Sequence, residues 1–295
     1  MTTDRRQFAR AVAGAFVATS VLHGSSPGAA ETLGSLPFPL SVMLWTVFRD
    51  LPFEQRLEKV SEAGYQAVEL VSEFKNWTDA DYHSANRRKR QLGITFDATA
   101  GIHRSLCDPS ERDAFLAEVR GMVPVMEQLE CTKLIVLSGN KVQGLSLADH
   151  RASCIEGLKQ AAEVMVPKKF DLLLENIDPE ENPQCFLTSV AEGFEIVREV
   201  NTPNVMFLYD FFHEQIAEGN LIEKLEKNIA RVGLVHVADV PGRHEPGTGE
   251  INYPNIFRKL TQLKYNRYAA MEFLPTGEPV ESLRAARELV RKSVA

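Results

Sequence analysis

The sequence predicts a single (β/α)8 barrel of the α/β class, and three observations support that fold. Eight apolar or β-branched runs alternate with segments of helical spacing from residue 40 onward. Such runs are typical of parallel strands covered on both faces, and this alternation favours a closed barrel. The roughly 265 residues after the N-terminal segment match the length of one barrel domain. A GxGxxG sequence is absent after the first strand, which disfavours a dinucleotide-binding sheet.

The elements follow one another with recognisable boundaries. The predicted strands cover residues 41–45, 67–71, 94–98, 133–137, 172–175, 205–210, 233–238 and 268–273. The first helix has apolar positions from Phe53 to Val60, and Gly64 can cap its C-terminus. Further helices are predicted at 115–129, from Ser146 onward, and at 255–263 with Pro254 at its start. No linker divides the chain between residues 40 and 290.

The first thirty residues are predicted to be a twin-arginine signal peptide rather than part of the fold. Arg5 and Arg6 precede an apolar stretch, Ala11–Leu22, and a small-residue region follows at Ser25–Ala30. The apolar stretch is shorter than the ~20 residues that a transmembrane helix needs. The sequence therefore predicts a signal at 1–30 and one barrel domain at 31–295. The twin-arginine machinery would export the protein to the periplasm or the medium, with no membrane insertion after processing.

Composition limits the classes of partner. A net charge of −7 and a pI near 5.6 argue against nucleic acid and anionic membranes as partners. The basic run Arg87–Arg90 is interpreted as the solvated face of a helix. Buried free thiols are favoured for Cys107, Cys131, Cys154 and Cys185, with one disulfide left open because export leads to an oxidising compartment. The sequence also leaves open whether the protein forms a homo-oligomer.

Four residues with metal-binding side chains lie at the ends of four successive predicted strands: Glu175, Asp210, His236 and Glu272. They are separated by 35, 26 and 36 positions, and one strand–helix unit takes roughly 30 residues. The C-terminal ends of barrel strands meet at one face, so these side chains are expected to converge. Carboxylates and an imidazole suit a divalent cation such as Mn²⁺, Mg²⁺, Co²⁺ or Zn²⁺.

Each of these residues also has an ordinary structural explanation when it is considered alone. A carboxylate at a strand end often caps a helix, and a lone histidine is most often a hydrogen-bonded core residue. Glu175 and Glu272, however, lie in apolar strands, where burying a carboxylate is costly unless it is paired or bound to a cation. Strand alternation turns His236 away from Val235 and Val237, toward the barrel mouth.

Two further residues are predicted to contact an anionic substrate. His213 follows strand six, and Arg243 lies in the Gly- and Pro-rich loop after strand seven. Arginine binds a carboxylate through two parallel hydrogen bonds, which fixes orientation as well as charge. A cap or a surface salt bridge is the alternative for both residues. Weaker candidates at strand ends or in loops are Glu69, Asn140, Glu181 and Asp239.

Several motifs together resemble the hydroxypyruvate isomerases, within the xylose isomerase-like TIM barrel superfamily. The motifs are YDFFH at 209–213, EGNL at 218–221, HVADVPGRHEPGTGEIN at 236–252 and MEF at 271–273. The resemblance runs from about residue 40 to the C-terminus and is strongest after Asp171. It implies that Glu175, Asp210, His236 and Glu272 bind the metal, that both glutamates are catalytic, and that His213 and Arg243 bind substrate. The chain departs from the family at Glu175–Asp178, which reads ENID instead of EPIN.

These features predict a metal-dependent aldose–ketose isomerase. It would interconvert hydroxypyruvate and tartronate semialdehyde, or a related small ketose and aldose, through a cis-enediolate, with the two glutamates dividing the acid and base roles. A sugar 3-epimerase and an inosose dehydratase-like lyase are alternatives on the same barrel. A zinc phosphodiesterase is disfavoured by the few histidines and the acidic charge. The third hypothesis is a non-catalytic, exported barrel that binds a metal or a carbohydrate.

Overall fold

Eight parallel strands close into a barrel in sequence order, and the first strand pairs with the last. The strands are β1 Leu40–Met43, β2 Ala67–Leu70, β3 Thr95–Thr99, β4 Lys133–Leu137, β5 Asp171–Glu175, β6 Val205–Asp210, β7 Val232–Val237 and β8 Ala269–Met271. The prediction of a (β/α)8 barrel is confirmed. The structure, a computed structural model, describes residues 36–295, so the predicted signal peptide at 1–30 lies outside the described residues.

Helices connect the strands and cover the outside of the barrel. They are α1 Phe53–Glu62, α2 Asp79–Leu92, α3 Arg112–Leu129, α4 Leu147–Met165, α5 Val190–Val200, α6 Phe211–Ala217, α7 Leu221–Asn228, α8 Tyr253–Gln262 and α9 Pro279–Val294. Helix α4 begins where the sequence predicts, because the Ser146 side chain accepts a hydrogen bond from the Asp149 amide and caps the helix. Within residues 36–295, no helix is both long and apolar enough to span a membrane.

The core has two layers. Inside the barrel, six strands each contribute one apolar side chain to a small cluster: Met43, Ala98, Ile135, Leu173, Leu208 and Leu234. A larger layer lies between the strands and the helices. Gly193 allows α5 to approach the sheet, because a Cβ there would lie 2.2 Å from the Phe207 ring. The barrel therefore has a packed interior that supports the residues at its mouth.

Several sequence predictions differ from the structure. Strand β1 ends at Met43, because Leu44–Thr46 form a 3-10 turn. Strand β8 ends at Met271, so Glu272 lies just beyond the strand, although its amide still donates to the Val237 carbonyl at 3.1 Å. Helix α3 begins at Arg112 because a short 3-10 turn at Pro109–Glu111 leads into it. The basic run is only partly a solvated face, since the Lys89 ammonium is buried and donates to the Leu129 carbonyl at 2.7 Å.

The cysteine prediction is confirmed for all four thiols. Cys107, Cys131, Cys154 and Cys185 are buried and free in the part of the chain that the structure describes. Burial raises the pKa of Cys131 to about 12, so this thiol stays protonated and unreactive at neutral pH. The thiols act as small apolar side chains in the core.

Candidate metal centre

Four acidic and imidazole side chains meet at the C-terminal end of the barrel. One donor atom from each of Glu175, Asp210, His236 and Glu272 lies within 4.8 Å of the other three. Glu175, Asp210 and His236 come from β5, β6 and β7, and Glu272 follows β8 directly. The register places Asp210 beside His236, because these two residues are partners in the β6–β7 ladder. All four side chains are buried.

His236 directs its Nδ1 atom at the three carboxylates. Nδ1 lies 2.7 Å from Glu272 Oε2, 3.4 Å from Glu175 Oε1 and 3.9 Å from Asp210 Oδ2. Among the described residues, neither His236 Nδ1 nor Glu272 Oε2 has a hydrogen-bond partner of good geometry, although both are buried. Buried polar atoms are nearly always satisfied, so a buried imidazole nitrogen that has no hydrogen bond and faces three carboxylates fits a cation site. Oxygen ligands and one imidazole suit Mn²⁺, Mg²⁺, Co²⁺ or Zn²⁺.

The charges in this cluster are strongly coupled. Burial raises the pKa of Glu175, although His236 opposes that shift. Burial acts in the same direction on Glu272, but Arg243 and His236 outweigh it and hold the pKa of Glu272 well below its usual range. Burial lowers the pKa of His236, yet Glu272 and Glu69 raise it well above the ordinary value. The three acidic groups are thus partly balanced by Arg243 and His236, and a bound cation would take the place of the proton on the coordinating nitrogen of His236.

His213 lies on the other side of Asp210, in the first turn of α6. Its Nδ1 is 2.6 Å from Asp178 Oδ2, and its Nε2 is 3.4 Å from Asp210 Oδ2. Burial alone lowers the pKa of His213, but the charge of Asp210 and the hydrogen bond to Asp178 raise it to about 9. The imidazole is therefore a cation at neutral pH, with its Nε2 proton directed toward the site.

This shift predicts a pH-dependent stability. A group whose pKa rises from 6.5 to about 9 on folding stabilises the protein fully below 6.5, and this contribution is lost as the pH rises through 9. We expect urea unfolding of the metal-free protein to show a free-energy difference between wild type and His213→Gln that falls by roughly 3 kcal/mol from pH 6 to pH 10. A difference that does not change with pH would contradict the assigned shift.

Arg243 is held over the site by stacking and by ion pairs. Its guanidinium carbon lies 4.8 Å from the centre of the Phe212 ring and 5.7 Å from that of Trp45. Nη2 lies 2.7 Å from Glu272 Oε2 and 3.3 Å from Asp210 Oδ2, and Nη1 lies 2.9 Å from Glu181 Oε2. The guanidinium is thus close enough to the four-residue cluster to bind an anion there.

The weaker sequence candidates have different positions. Asp239 shapes the loop that carries Arg243, because its carboxylate accepts hydrogen bonds from the amides of Val240, Gly247 and Ile251. Asn140 lies at a neighbouring surface cavity, where its side chain accepts a hydrogen bond from Asn182 at 2.8 Å. Neither residue belongs to the cluster of four. Glu181 is exposed and lies at the edge of the site, where it pairs with Arg243.

Three contacts at the site were not predicted from the sequence. Asp178 binds His213, Glu69 Oε2 lies 2.9 Å from His236 Nε2, and the Trp45 indole N–H donates to Glu272 Oε1 at 2.8 Å. Glu69 was only a weak strand-end candidate, and Trp45 stands at the end of the first predicted strand without a charge to mark it. One feature of the sequence could have indicated a role for Asp178, since it replaces the asparagine that is usual in the hydroxypyruvate isomerases.

A second group of acidic and imidazole residues is already satisfied by protein contacts. Asp178, Glu181 and His213 lie close enough to hold an ion. However, Asp178 Oδ1 accepts from the amides of Glu180 and Glu181, and Oδ2 is bonded to His213. Arg243 pairs with Glu181. This group therefore fits a network that positions His213 and Arg243 better than a second cation site.

The four-residue cluster opens into a cavity of about 490 Å³. Glu175, His236, Glu272, His213 and Arg243 form its polar side. The opposite wall comes from the β1 to β4 side of the mouth and is mainly apolar, with Met43, Ala100, Gly101, Ile135 and Leu137, and its polar lining residues are Ser72, Lys75 and His103. A volume of this size is typical of small-molecule sites.

The fold and this site together define a class of barrel protein. The family described as xylose isomerase-like TIM barrel matches residues 57–293, and the chain belongs to this family. The 2-oxo-tetronate isomerase of Pectobacterium atrosepticum is 27% identical over 250 residues, covering 83% of this chain and 95% of the relative. The hydroxypyruvate isomerase of Escherichia coli is 27% identical over 248 residues, covering 83% of this chain and 96% of the relative.

Solved structures include similar barrels. The AP endonuclease, family 2, from Brucella melitensis has a TM-score of 0.76 at 27% identity, with 83% of this chain and 97% of that chain covered. The D-psicose 3-epimerase of Clostridium cellulolyticum H10 has a TM-score of 0.70 at 17% identity, with 87% and 96% covered. The likeness to the epimerase is one of fold alone.

Proposed function

We propose that this chain is a divalent-cation-dependent isomerase that interconverts hydroxypyruvate and tartronate semialdehyde, or a related small 2-oxo acid, through a cis-enediolate. One observation carries the proposal. The four-residue cluster, with its two buried glutamates, and the Arg243 guanidinium lie at the same cavity. The relatives named as hydroxypyruvate and 2-oxo-tetronate isomerases bear out the prediction of an aldose–ketose isomerase.

The four clustered side chains would hold the cation, and the two glutamates would move the protons. Glu175 and Glu272 flank the site, because Asp210 and His236 stand on the two strands between them. One glutamate removes the proton from the hydroxyl-bearing carbon next to the carbonyl, which in hydroxypyruvate is the hydroxymethyl carbon, and the other returns a proton to the former carbonyl carbon. The hydroxyl proton of the first carbon passes to the former carbonyl oxygen. One carbon–hydrogen and one oxygen–hydrogen bond break and one of each forms, so substrate and product are isomers. When bound, the cation supplies a positive charge that polarises the substrate carbonyl.

Arg243 and His213 would bind the carboxylate of the substrate. Both are buried cations beside the glutamates, and Arg243 lines the cavity together with His213. Stacking against Phe212 and Trp45 holds the guanidinium in one orientation, which favours recognition of a planar carboxylate. This arrangement explains how a small substrate with few atoms can be oriented for proton transfer.

The apolar wall favours a short substrate over a hexose. Met43, Ala100 and Ile135 offer no side-chain hydrogen bonds to hydroxyl groups, and hydroxyls buried there would lose their water without replacement. A 3-epimerase or an inosose dehydratase-like lyase would need partners for a longer polyol. A nuclease is disfavoured by the acidic net charge of −7, because phosphate backbones bind basic surfaces. A non-catalytic, exported protein that binds a metal or a carbohydrate is a further alternative. Turnover of any substrate by the purified protein would exclude it.

The test is an isomerase assay with isotopic labelling. The purified protein would be loaded in turn with Mn²⁺, Mg²⁺, Co²⁺ and Zn²⁺ and offered hydroxypyruvate, 2-oxo-tetronate and a ketohexose. We expect turnover of a 2-oxo acid, with deuterium on the hydroxyl-bearing carbon next to its carbonyl (the hydroxymethyl carbon of hydroxypyruvate, C3 of 2-oxo-tetronate) lost to solvent or moved to the former carbonyl carbon. Turnover of the ketohexose alone would support the epimerase instead. Binding of these compounds without any turnover would favour the binding protein.

We further propose that residues 31–295 form the mature barrel domain and that residues 1–30 direct its export in a folded state by the twin-arginine machinery. The paired arginines at positions 5 and 6 ahead of an apolar stretch support this proposal. Localisation in the periplasm or the medium would follow. The cation could then be bound in the cytoplasm before export.

Export makes a separate prediction. Changing both Arg5 and Arg6 to Lys is expected to leave the protein in the cytoplasm with an intact N-terminus, because the paired arginines are the recognised feature of the signal. Cell fractionation and N-terminal sequencing of wild type and variant would measure this. Normal processing of the double variant would refute twin-arginine export, and it would leave the isomerase proposal unaffected.

A further inference from the structure

One buried carboxylate at the site belongs to neither the cation cluster nor the substrate-binding pair. Glu69 stands on β2, while its partner His236 stands on β7. The two residues are 167 positions apart in sequence, and Glu69 Oε2 lies 2.9 Å from His236 Nε2. The carboxylate therefore meets the imidazole within the barrel, on the ring edge that faces away from the cluster.

The position of Glu69 is unfavourable for folding alone. The side chain is fully buried at 0% exposure, and its second oxygen, Oε1, has no hydrogen-bond partner among the described residues. An apolar side chain in the same place would avoid the desolvation penalty of the charge. The hydrogen bond with His236 accounts for a carboxylate here.

The ring of His236 needs a defined tautomer to bind a cation. A neutral imidazole carries one proton, and the nitrogen that coordinates a metal must be the one without it. Nδ1 faces Glu175, Asp210 and Glu272, so it is the nitrogen that would bind the cation and give up its proton, and the remaining proton would then stand on Nε2. Glu69 Oε2 is placed to accept that proton's hydrogen bond. Such outer partners orient metal-binding histidines and raise their basicity.

We propose that Glu69 is a positioning residue that keeps the His236 proton on Nε2 and thereby presents Nδ1 to the divalent cation. This inference rests on the cation site of the proposed function. It assigns Glu69 no contact with the substrate, and its effect is exerted on cation affinity through His236.

The test compares substitutions at Glu69 with one at another buried carboxylate. Glu214 in α6 is the matched control, since it is 0% exposed and accepts from the Val190 amide at 3.3 Å without touching His236. We expect Glu69→Leu to weaken Mn²⁺ binding by ~10–100-fold in isothermal titration. Glu69→Gln should stay within a few-fold of wild type, because the amide oxygen still accepts from Nε2. Glu214→Leu should leave the affinity unchanged.

A spectroscopic measurement separates positioning from general damage. In the Zn²⁺-loaded full chain, ¹⁵N-detected histidine spectra should show a single Nε2–H tautomer for His236 in wild type and in Glu69→Gln. Glu69→Leu should lose this uniform state or fail to retain Zn²⁺. If Glu69→Leu does not fold, as judged by thermal melting of the metal-free protein, Glu69→Met supplies the same loss of an acceptor in a more flexible side chain.

The outcomes distinguish this inference from the proposed function. Wild-type Mn²⁺ affinity in Glu69→Leu and Glu69→Met would overturn the positioning role while leaving the cation site intact. Equal losses of affinity in Glu214→Leu and Glu69→Leu would also overturn it, because they would reflect general damage to the fold. A wild-type chain that binds neither Mn²⁺ nor Zn²⁺ would overturn the cation site itself and this inference with it.

Discussion

Replacing Glu175 or Glu272 with Gln is expected to lower kcat by ~10²–10⁴ for the proposed 2-oxo acid substrate. Glutamine keeps the size of the side chain and one oxygen ligand, but it cannot take up a proton. Alanine would remove the ligand as well and would confound the two roles. Steady-state kinetics at saturating Mn²⁺, together with elemental analysis of bound metal, would measure the effect.

The matched control for these variants is Glu214→Gln. Glu214 is also a fully buried glutamate, but it lies in α6, pairs with Lys224 and accepts from the Val190 amide outside the cavity. Its glutamine variant should retain near-native kcat, because it removes a buried carboxylate without altering the proton-transfer pair. Near-native turnover in both Glu175→Gln and Glu272→Gln would reject the assigned proton transfer, whatever the control shows.

Changing Asp210 or His236 to Ala is expected to remove most of the bound divalent metal and to abolish the stabilisation that the metal provides. A ligand that binds only the folded state adds about 2.7 kcal/mol at a concentration 100 times its Kd. The melting temperature of wild type should therefore rise on addition of Mn²⁺, and that of either variant should not. Elemental analysis after gel filtration measures the metal content directly.

His150→Ala provides the control for the loss of a buried histidine. His150 is as buried as His236, at 1% exposure, but its ring binds the Cys107 carbonyl and the Val142 amide instead of the cluster. This variant should be less stable than wild type and should still be stabilised by Mn²⁺. Stoichiometric metal in both Asp210→Ala and His236→Ala would show that the cation binds elsewhere.

The sequence by itself determined the architecture and the composition of the cluster. Strand and helix periods differ, so eight apolar runs with intervening helical patterns define the barrel without knowledge of any contact. Parallel strands place their C-terminal ends at one face, and Glu175, Asp210 and His236 each stand near such an end. Their convergence follows from topology. The cap at Ser146 was equally predictable, because it depends on residues three apart.

Only the tertiary structure decided which side chains support the site. Glu69 and His236, Trp45 and Glu272, and Asp178 and His213 are pairs of residues separated by 167, 227 and 35 positions. A pattern in the sequence reports the face on which a side chain lies, but not its partner across the barrel. That partner depends on strand register, barrel curvature and side-chain rotamers, which are set by packing of the whole chain. The burial of Lys89 has the same origin, since its partner Leu129 ends a different helix.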